Sequence, residues 1–549
     1  MNLRPLASPA SGPAADAERG APPTPAGRVR QAVAFVLHGP GRMAWPGFLG
    51  VVLMVFGGFG SGALRRQDPL LDTVFLSWLR YGHGKILSGA LVYVGLVLMF
   101  YSWVRIGRAV RAGGFTPAQL GGLAVAWAVP MLFSVPLFSR DAYSYLAQGA
   151  LLRDGFDPYA VGPAVNPGPL LDNVSTVWTT TTAPYGPAFI LIARGVTMIT
   201  GDNVVTGTMA LRLVMLPGLA LLLWAIPRMA RNLGGSPAIA MWVAVLNPLV
   251  LVHLIGGVHN ELLMVALLTA GIVAVLERKH LLGIAVISLA VTVKATAGAA
   301  LPFMVWIWMR HRRDDDRARG TVSPHWFREF VRTAVPSVLV FAAVFATATV
   351  AAGIGVGWMT ALSGANKIIN WLSLPTATAQ LYTVATSWFT GVGLAPALEI
   401  ARLIGEAALV VIVVLIVARF RHSVHEAMHG VLYSMVAVVV LSPATLPWYY
   451  TWPLAVASGL VVSGRAMSAV AAFSVFTMII FRPDGSIGMY QWYHVLLAAG
   501  CAAVAAVALH REDPLRLRRF LKGDGGAPDT PARPRAAVAP RAAAGDGDG

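Results

Sequence analysis

FSRDAYSYLAQGALLRDGFDPYAVGP, residues 138–163, follows an apolar run at 120–138 and places Arg140 and Asp141 just past its end. A charged pair at that depth sits where hydrocarbon gives way to water, and charge near hydrocarbon is costly unless it is solvated or used. If DAYSYLAQ is helical, Asp141, Tyr145 and Gln148 fall at i, i+4 and i+7 and share one face. Asp154 and Asp157 follow in a loop with Pro158 and Tyr159. A solvated membrane-exit loop accounts for any one of these residues. A long outer loop rich in Tyr, Asp and Pro, in a chain otherwise close to hydrocarbon, points to a polar site as well.

The rest of the chain agrees with that class. It is 56% hydrophobic and 12% charged, with a mean hydropathy of +0.66, which predicts an all-α polytopic membrane protein. Apolar runs of spanning length recur, beginning at 45–64. Residues 1–44 are rich in Pro, Ala, Gly and Arg and read as a disordered cytosolic arm. No apolar h-region lies near Met1, so no cleaved signal peptide is expected. Residues 45–510 read as one transmembrane domain and 511–549 as a cytosolic basic tail rich in Ala, Pro and Gly. With Cys501 as the sole cysteine, no intrachain disulfide can form, and packing alone must hold the outer loops.

Arginine placement predicts orientation. Short loops carry Arg105, Arg108 and Arg111, then Arg228 and Arg231, then Arg278 and Lys279. The largest basic loop runs from Arg310 to Arg332, and Arg419, Arg421, Arg465 and the tail complete the set. Placing all of these in the cytosol requires roughly 14 alternating helices, with a short hairpin at 281–310 turning near Lys294. The same choice sends the Asp141 loop, 355–396, 443–450 and 482–490 outside. Arg65, Arg66, Arg80 and Lys85 then fall outside too, partly offset by Asp68 and Asp72. The net charge of +17 thus reflects topology and anionic headgroups, with no nucleic-acid partner expected.

No GxxxxGK[ST] or GxGxxG stands between a strand and a helix, and no His/Cys cluster has zinc spacing. Asp314, Asp315 and Asp316, among arginines, read as a solvated cytosolic loop. The remaining ionisable groups in or beside spans are candidates. NPLVLVHLIGGVHNELL brings His253, His259, Asn260 and Glu261 to an outward turn, as structural polar residues or as a site. Lys294 stands at the outer end of the short hairpin, where it meets either a phosphate or a structural partner. Arg212 lies within a span and needs a carboxylate or a phosphate. Glu399, Arg402 and Glu406 share a helical face and explain one another by pairing. Trp448, Tyr449 and Tyr450 fit an interfacial aromatic belt, or flat rings on which sugars stack.

SRDAYSYLAQGALLRDGFDPY, NPLVLVHLIGGVHNELL, NWLSLPTATAQLY and SPATLPWYYTWPL together resemble the actinobacterial polyprenol-phosphomannose-dependent α(1→6) mannosyltransferases of lipomannan and lipoarabinomannan synthesis. These belong to the GT-C glycosyltransferases. The resemblance covers about residues 45–510, and its most specific element is the Arg-Asp of the first long outer loop. His259 to Glu261 ends in Glu where related enzymes often carry Asp, which leaves Glu261 without a fixed role.

The resemblance implies a GT-C-type helical bundle and a plasma-membrane enzyme acting on the outer face. Its donor would be polyprenyl-phosphate-mannose and its acceptor an α(1→6)-mannan or phosphatidylinositol mannoside. A β-linked donor and an α-linked product imply inversion by single displacement, which needs one base and no nucleotide. In that chemistry Asp141 is the general base. Arg140, Lys294 and His259 stabilise the donor phosphate. Tyr145, Gln148, Asp157, Asn260, Trp448 and Tyr449 contact substrate. No cofactor is required, and a divalent metal stays open. Another polyprenyl-phosphate-sugar transferase, such as an arabinosyltransferase, is the nearest alternative. A lipid-linked saccharide transporter would be expected to show inverted repeats, and no internal repeat is visible.

Overall fold

The computed structural model describes residues 34–35, 38–321, 325–361 and 367–512. The N-terminal arm, apart from a few residues near its end, and nearly all of the basic tail lie outside the described residues. The described chain is helical, with a single isolated antiparallel bridge between Phe481 and Ile487.

Numbering the helices of eight residues or more, the first half comprises α1 (Trp45–Ser61), α2 (Gly82–Arg111), α3 (Pro117–Met131), α4 (Asp141–Arg153), α5 (Pro187–Thr200), α6 (Val204–Asn232), α7 (Pro237–Ala244) and α8 (Glu261–Leu276). The second half comprises α9 (His280–Val293), α10 (Leu301–Ala318), α11 (Trp326–Ala352), α12 (Leu374–Thr386), α13 (Leu394–Arg419), α14 (Val424–Leu441), α15 (Thr451–Gly459), α16 (Gly464–Ile479) and α17 (Trp492–Ala508). Among the described residues, six helices are long and apolar enough to cross a membrane: Pro40–Ser61, α2, α6, α11, α13 and α14. A seventh crossing results if α7 and Pro248–Gly256, bent by 44°, count as one. Helices α5, α8, α9, α16 and α17 are apolar but shorter. A tally of about 14 crossings would need those, together with α3 and α10, to traverse the bilayer as well.

Packing sorts these helices into an inner bundle and a lipid-facing rim. Helices α1 and α2 cross so closely that a Cβ on Gly50 would come within 2.4 Å of Gly95 O, and one on Gly95 within 2.4 Å of Gly50 O. Small residues at such crossings let backbones meet and gain dispersion contacts that lipid cannot replace. Trp103 of α2 and Trp242 of α7 stack at 4.4 Å, and each indole donates to the other's backbone carbonyl. By contrast, only 6% of the most apolar stretch of α11 or α13 is buried within the protein.

The loops gather at two ends. At one, Phe138 N donates to Pro483 O (2.7 Å), Asn370 to Thr445 O (2.7 Å), Tyr490 Oη to Ile369 O (2.9 Å) and Lys367 to Thr181 Oγ1 (2.8 Å). These are the segments that the arginine pattern assigns outside. At the other end, Arg108 donates to Ala508 O (2.6 Å), Arg278 to Asp315 (2.6 Å) and Arg310 to Arg421 O (3.2 Å). Arg65, on the side with few arginines, is buried against Asp68 at 2.7 Å, so its charge is compensated locally.

One boundary differs from the sequence reading. The apolar run at 120–138 does not stay helical to Phe138: α3 ends at Met131. Pro130 lacks an N–H for the ladder, and Pro136 pushes Val135 out of the helical region. The freed segment 132–138 leads into Asp141 and is tied to the neighbouring turns through Leu137 N to Gly256 O and Phe138 N to Pro483 O.

Candidate active site

Asp141 is the first residue of α4, and Arg140 is its N-cap. The turn that aims Asp141 is strained: Phe138 has φ of 61°, and Val258, just before His259, has φ of 62°. Non-glycine residues in that region cost of order 1–3 kcal/mol, and such strain persists where surrounding contacts over-determine it. Here the clamp is visible. Leu137 N donates to Gly256 O (3.1 Å), joining the segment before Asp141 to the turn before His259.

Arg212 fastens the same two segments. The sequence reading gave it a carboxylate or phosphate partner, and the structure corrects this. The buried guanidinium donates to Ile255 O (3.2 Å), Gly256 O (3.1 Å), Leu132 O (3.3 Å) and Ser134, all but one of these acceptors being backbone carbonyls. Five donors in a planar fork suit an array of carbonyls freed where helices end.

The clamp brings together a row of ionisable side chains. Asp141 Oδ2 lies 3.6 Å from His259 Nδ1, and His259 Nδ1 lies 3.9 Å from Glu261 Oε2. Glu261 is fully buried and pairs with Lys294, which stands at the break after α9 with extended backbone. Lys294 therefore has a carboxylate as its structural partner, one of the two alternatives its position in the sequence left open. Its ammonium also faces three rings: Tyr449 at 4.2 Å, Trp452 at 5.2 Å and Tyr185 at 5.8 Å. An aromatic cage of this kind holds a cation by its ring quadrupoles.

A cavity of about 580 Å³ opens over this row, within the size range of small-ligand sites. Asp141, Gln148, Lys294 and Tyr449 are on its walls. Burial pushes the Asp141 carboxyl up to about 7, with the nearby Glu261 charge adding to the rise and Lys294 and Ser139 opposing it. A carboxyl held near neutrality can take and return a proton at working pH. Gln148 Oε1 is buried with no hydrogen-bond partner among the described residues.

Other candidates stand elsewhere. Tyr145 is fully buried, edge-on to Tyr185 (5.2 Å) and Phe189 (4.9 Å), so it supports the wall and does not line the cavity. Trp448 stacks on His259 at 3.8 Å, fixing that imidazole from behind. His259 and Asn260 are fully buried behind the lining, and their ring and amide polar atoms make no hydrogen bond among the described residues. Arg140 faces away: it donates to Asn173 O (2.8 Å) and Leu64 O (3.0 Å), bracing two loops. A phosphate role for Arg140 does not fit that placement. Asp157 lies off the cavity and accepts from Tyr159 N at 2.8 Å, an Asx turn within its own loop.

The sequence reading missed Trp178, Thr182, Tyr185, Trp452 and Glu406, all of which line the cavity. The run TTTTAPYGP at 179–187, polar within an outer segment, was the available signal for Thr182 and Tyr185. Besides its place on a helical face with Arg402, Glu406 reaches the cavity wall, and Arg402 also donates to Ile368 O (2.8 Å). Among the described residues, no group of three or more His, Cys, Asp or Glu is disposed to hold a metal ion. Asp314 and Asp315 instead pair with Arg317 and Arg278.

Residues 44–310 match the N-terminal domain of the α-(1→6)-mannopyranosyltransferase family, and residues 375–511 match the MptB C-terminal domain. The chain is 52% identical to α-(1→6)-mannopyranosyltransferase A of Mycobacterium tuberculosis over 87% of its own length and 91% of that protein's. It is 36% identical to α-(1→6)-mannopyranosyltransferase A of Corynebacterium glutamicum, over 83% and 96% of the two chains. Similarity to α-(1→6)-mannopyranosyltransferase B of C. glutamicum is 31%, over 80% and 77%.

Proposed function

Because the chain belongs to the α-(1→6)-mannopyranosyltransferase family, we propose that it moves mannose from a polyprenyl-phosphate-mannose donor to the O6 hydroxyl of an α(1→6)-mannan, on the outer face of the plasma membrane. What carries this reading is that Asp141 and Lys294 share the walls of one cavity. A base is available for the acceptor, and a cation for the leaving group.

The acceptor O6–H hydrogen-bonds to Asp141, which takes its proton as O6 attacks the anomeric carbon. The bond from that carbon to the phosphate oxygen breaks with inversion, and the electron pair leaves on the lipid phosphate. Lys294, held by Glu261 and its aromatic cage, faces the developing phosphate charge. His259, stacked on Trp448, fixes the polar floor beneath Asp141. Tyr449, Trp452 and Tyr185 offer flat faces for sugar rings. A lipid-linked donor also suits a cavity beside helix α13, which presents its apolar surface to the bilayer.

Incubating the purified protein with polyprenyl-phosphate-mannose and a short α(1→6)-mannoside tests this reading. The product should carry one added α(1→6)-mannose, and GDP-mannose should not substitute for the lipid donor. Transfer from GDP-mannose alone would overturn the donor assignment.

A further inference from the structure

Helix α4 presents three polar residues to the cavity: Asp141, Ser144 and Gln148. A helix turns about 100° per residue, which puts the three within roughly 60° of one another on one stripe. Ser144 is 4% exposed and Gln148 3%. Ser144 Oγ and Gln148 Oε1 make no hydrogen bond among the described residues. Buried polar atoms are nearly always paired. Two such atoms in line with Asp141, on the wall of a cavity, point to a ligand that supplies their partners.

The chemistry of the pair selects that ligand. An amide oxygen only accepts, so it needs an O–H or N–H donor, which neither a prenyl chain nor an ionised phosphate offers. A serine hydroxyl donates or accepts and can share the same partner. A sugar hydroxyl, donor and acceptor at once, meets both needs. The stripe also selects which sugar. With the acceptor O6 on Asp141, the ring that carries O6 lies along the rest of α4. The donor mannose is tied through its phosphate to Lys294, at the break after α9.

We propose that Ser144 and Gln148 form a specificity subsite that binds the C2 hydroxyl of the acceptor's terminal mannose, an inference that rests on Asp141 being the base for O6. From Asp141 to Gln148 the helix rises roughly 10 Å, and a pyranose with a hydrogen bond at each end bridges that gap. Across the ring from C5, which carries C6 and O6, stands C2. Its axial hydroxyl is what distinguishes mannose from glucose. Holding it at Gln148 presents the primary O6 hydroxyl to Asp141 and keeps the secondary hydroxyls away, so the same contact sets both the sugar chosen and the (1→6) linkage.

Binding and transfer are measured separately on the detergent-purified full chain. The probes are an α(1→6)-mannobioside and the same disaccharide with 2-deoxymannose as its non-reducing residue. Isothermal titration gives Kd for each, and transfer from polyprenyl-phosphate-mannose gives kcat/KM. In the wild type the 2-deoxy acceptor should lose about 10- to 100-fold, the cost of leaving buried polar atoms unmatched. Gln148→Leu should lose most of that discrimination and Ser144→Ala part of it. Full discrimination in a folded Gln148→Leu overturns the proposal, as does equal handling of the two acceptors by the wild type, a comparison that stands whether or not the variant folds. Sensitivity to a 2-deoxymannosyl donor in place of the acceptor also overturns it, since the pair would then face the donor mannose. Selective binding without transfer supports the subsite and counts against the donor assignment alone, whereas transfer without selectivity defeats the subsite alone. Binding of neither disaccharide overturns both.

Discussion

Nδ1 of His259 stands 3.6 Å from Oδ2 of Asp141, although the two residues come from different helix ends. That separation is too long for a direct hydrogen bond. His259 is instead fixed by its stack on Trp448, and Asp141 by its position at the start of α4. The carboxylate thus keeps an oxygen for an acceptor hydroxyl, over a floor already rigid.

The Asp141 carboxyl, raised to about 7, sets the pH dependence. Its ionised form is the base, so kcat/KM should rise about tenfold per pH unit up to about 7 and level off above. Glu261 raises this pKa and Lys294 lowers it. The acid limb should therefore move to lower pH in Glu261→Gln and to higher pH in Lys294→Ala. A pH series on the three proteins checks both signs.

Glu261 and Lys294 form a buried pair, and breaking such a pair leaves an uncompensated charge. Glu261→Ala should cost about 3–5 kcal/mol of stability. The double variant with Lys294→Met should lose less than the two single losses combined. Thermal unfolding in detergent gives the cycle. In kinetics, Lys294→Ala should raise KM for the lipid donor more than for the mannoside, since only the donor brings a phosphate.

Arg212 is a staple between 132–134 and 255–256, and lysine cannot reproduce its fork. Arg212→Lys should lose roughly 1–3 kcal/mol through carbonyls left unpaired. Its Tm should fall, with activity recovered at low temperature.

The membrane class, the break at Lys294 and the grouping of loops at two ends were all legible in the sequence, because hydropathy and arginine placement act locally along the chain. Asp141, Gln148, Lys294 and Tyr449 were legible as polar or aromatic residues beside spans, and all four line the cavity. Tyr145 was not, because α4 is buried on nearly every side from Ala142 to Leu151, so sharing a helical face with Asp141 does not give access to the cavity. Arg212 was misread because its partners are carbonyls freed at helix ends, which a sequence of side chains does not display. Glu406 was hidden by a helical spacing that also fits simple pairing.

Orientation can be tested with single cysteines in a Cys501→Ser background. Ala318→Cys, on the arginine-rich end, and Thr176→Cys, in the Asp141 loop, are both at exposed positions. An impermeant maleimide on intact cells should label Thr176→Cys and spare Ala318→Cys. The reverse pattern would invert the topology.

The most direct test of the central claim is single-turnover mannosyl transfer by Asp141→Asn, measured beside its thermal unfolding. Asn keeps the size of the carboxylate but cannot accept the acceptor's proton. Transfer should fall about 10²- to 10⁴-fold with Tm near that of the wild type. Asp157→Asn, off the cavity, should stay within a few-fold of the wild type. Near-normal transfer by Asp141→Asn, or a dead and well-folded Asp157→Asn, would contradict the assignment of Asp141 as the base.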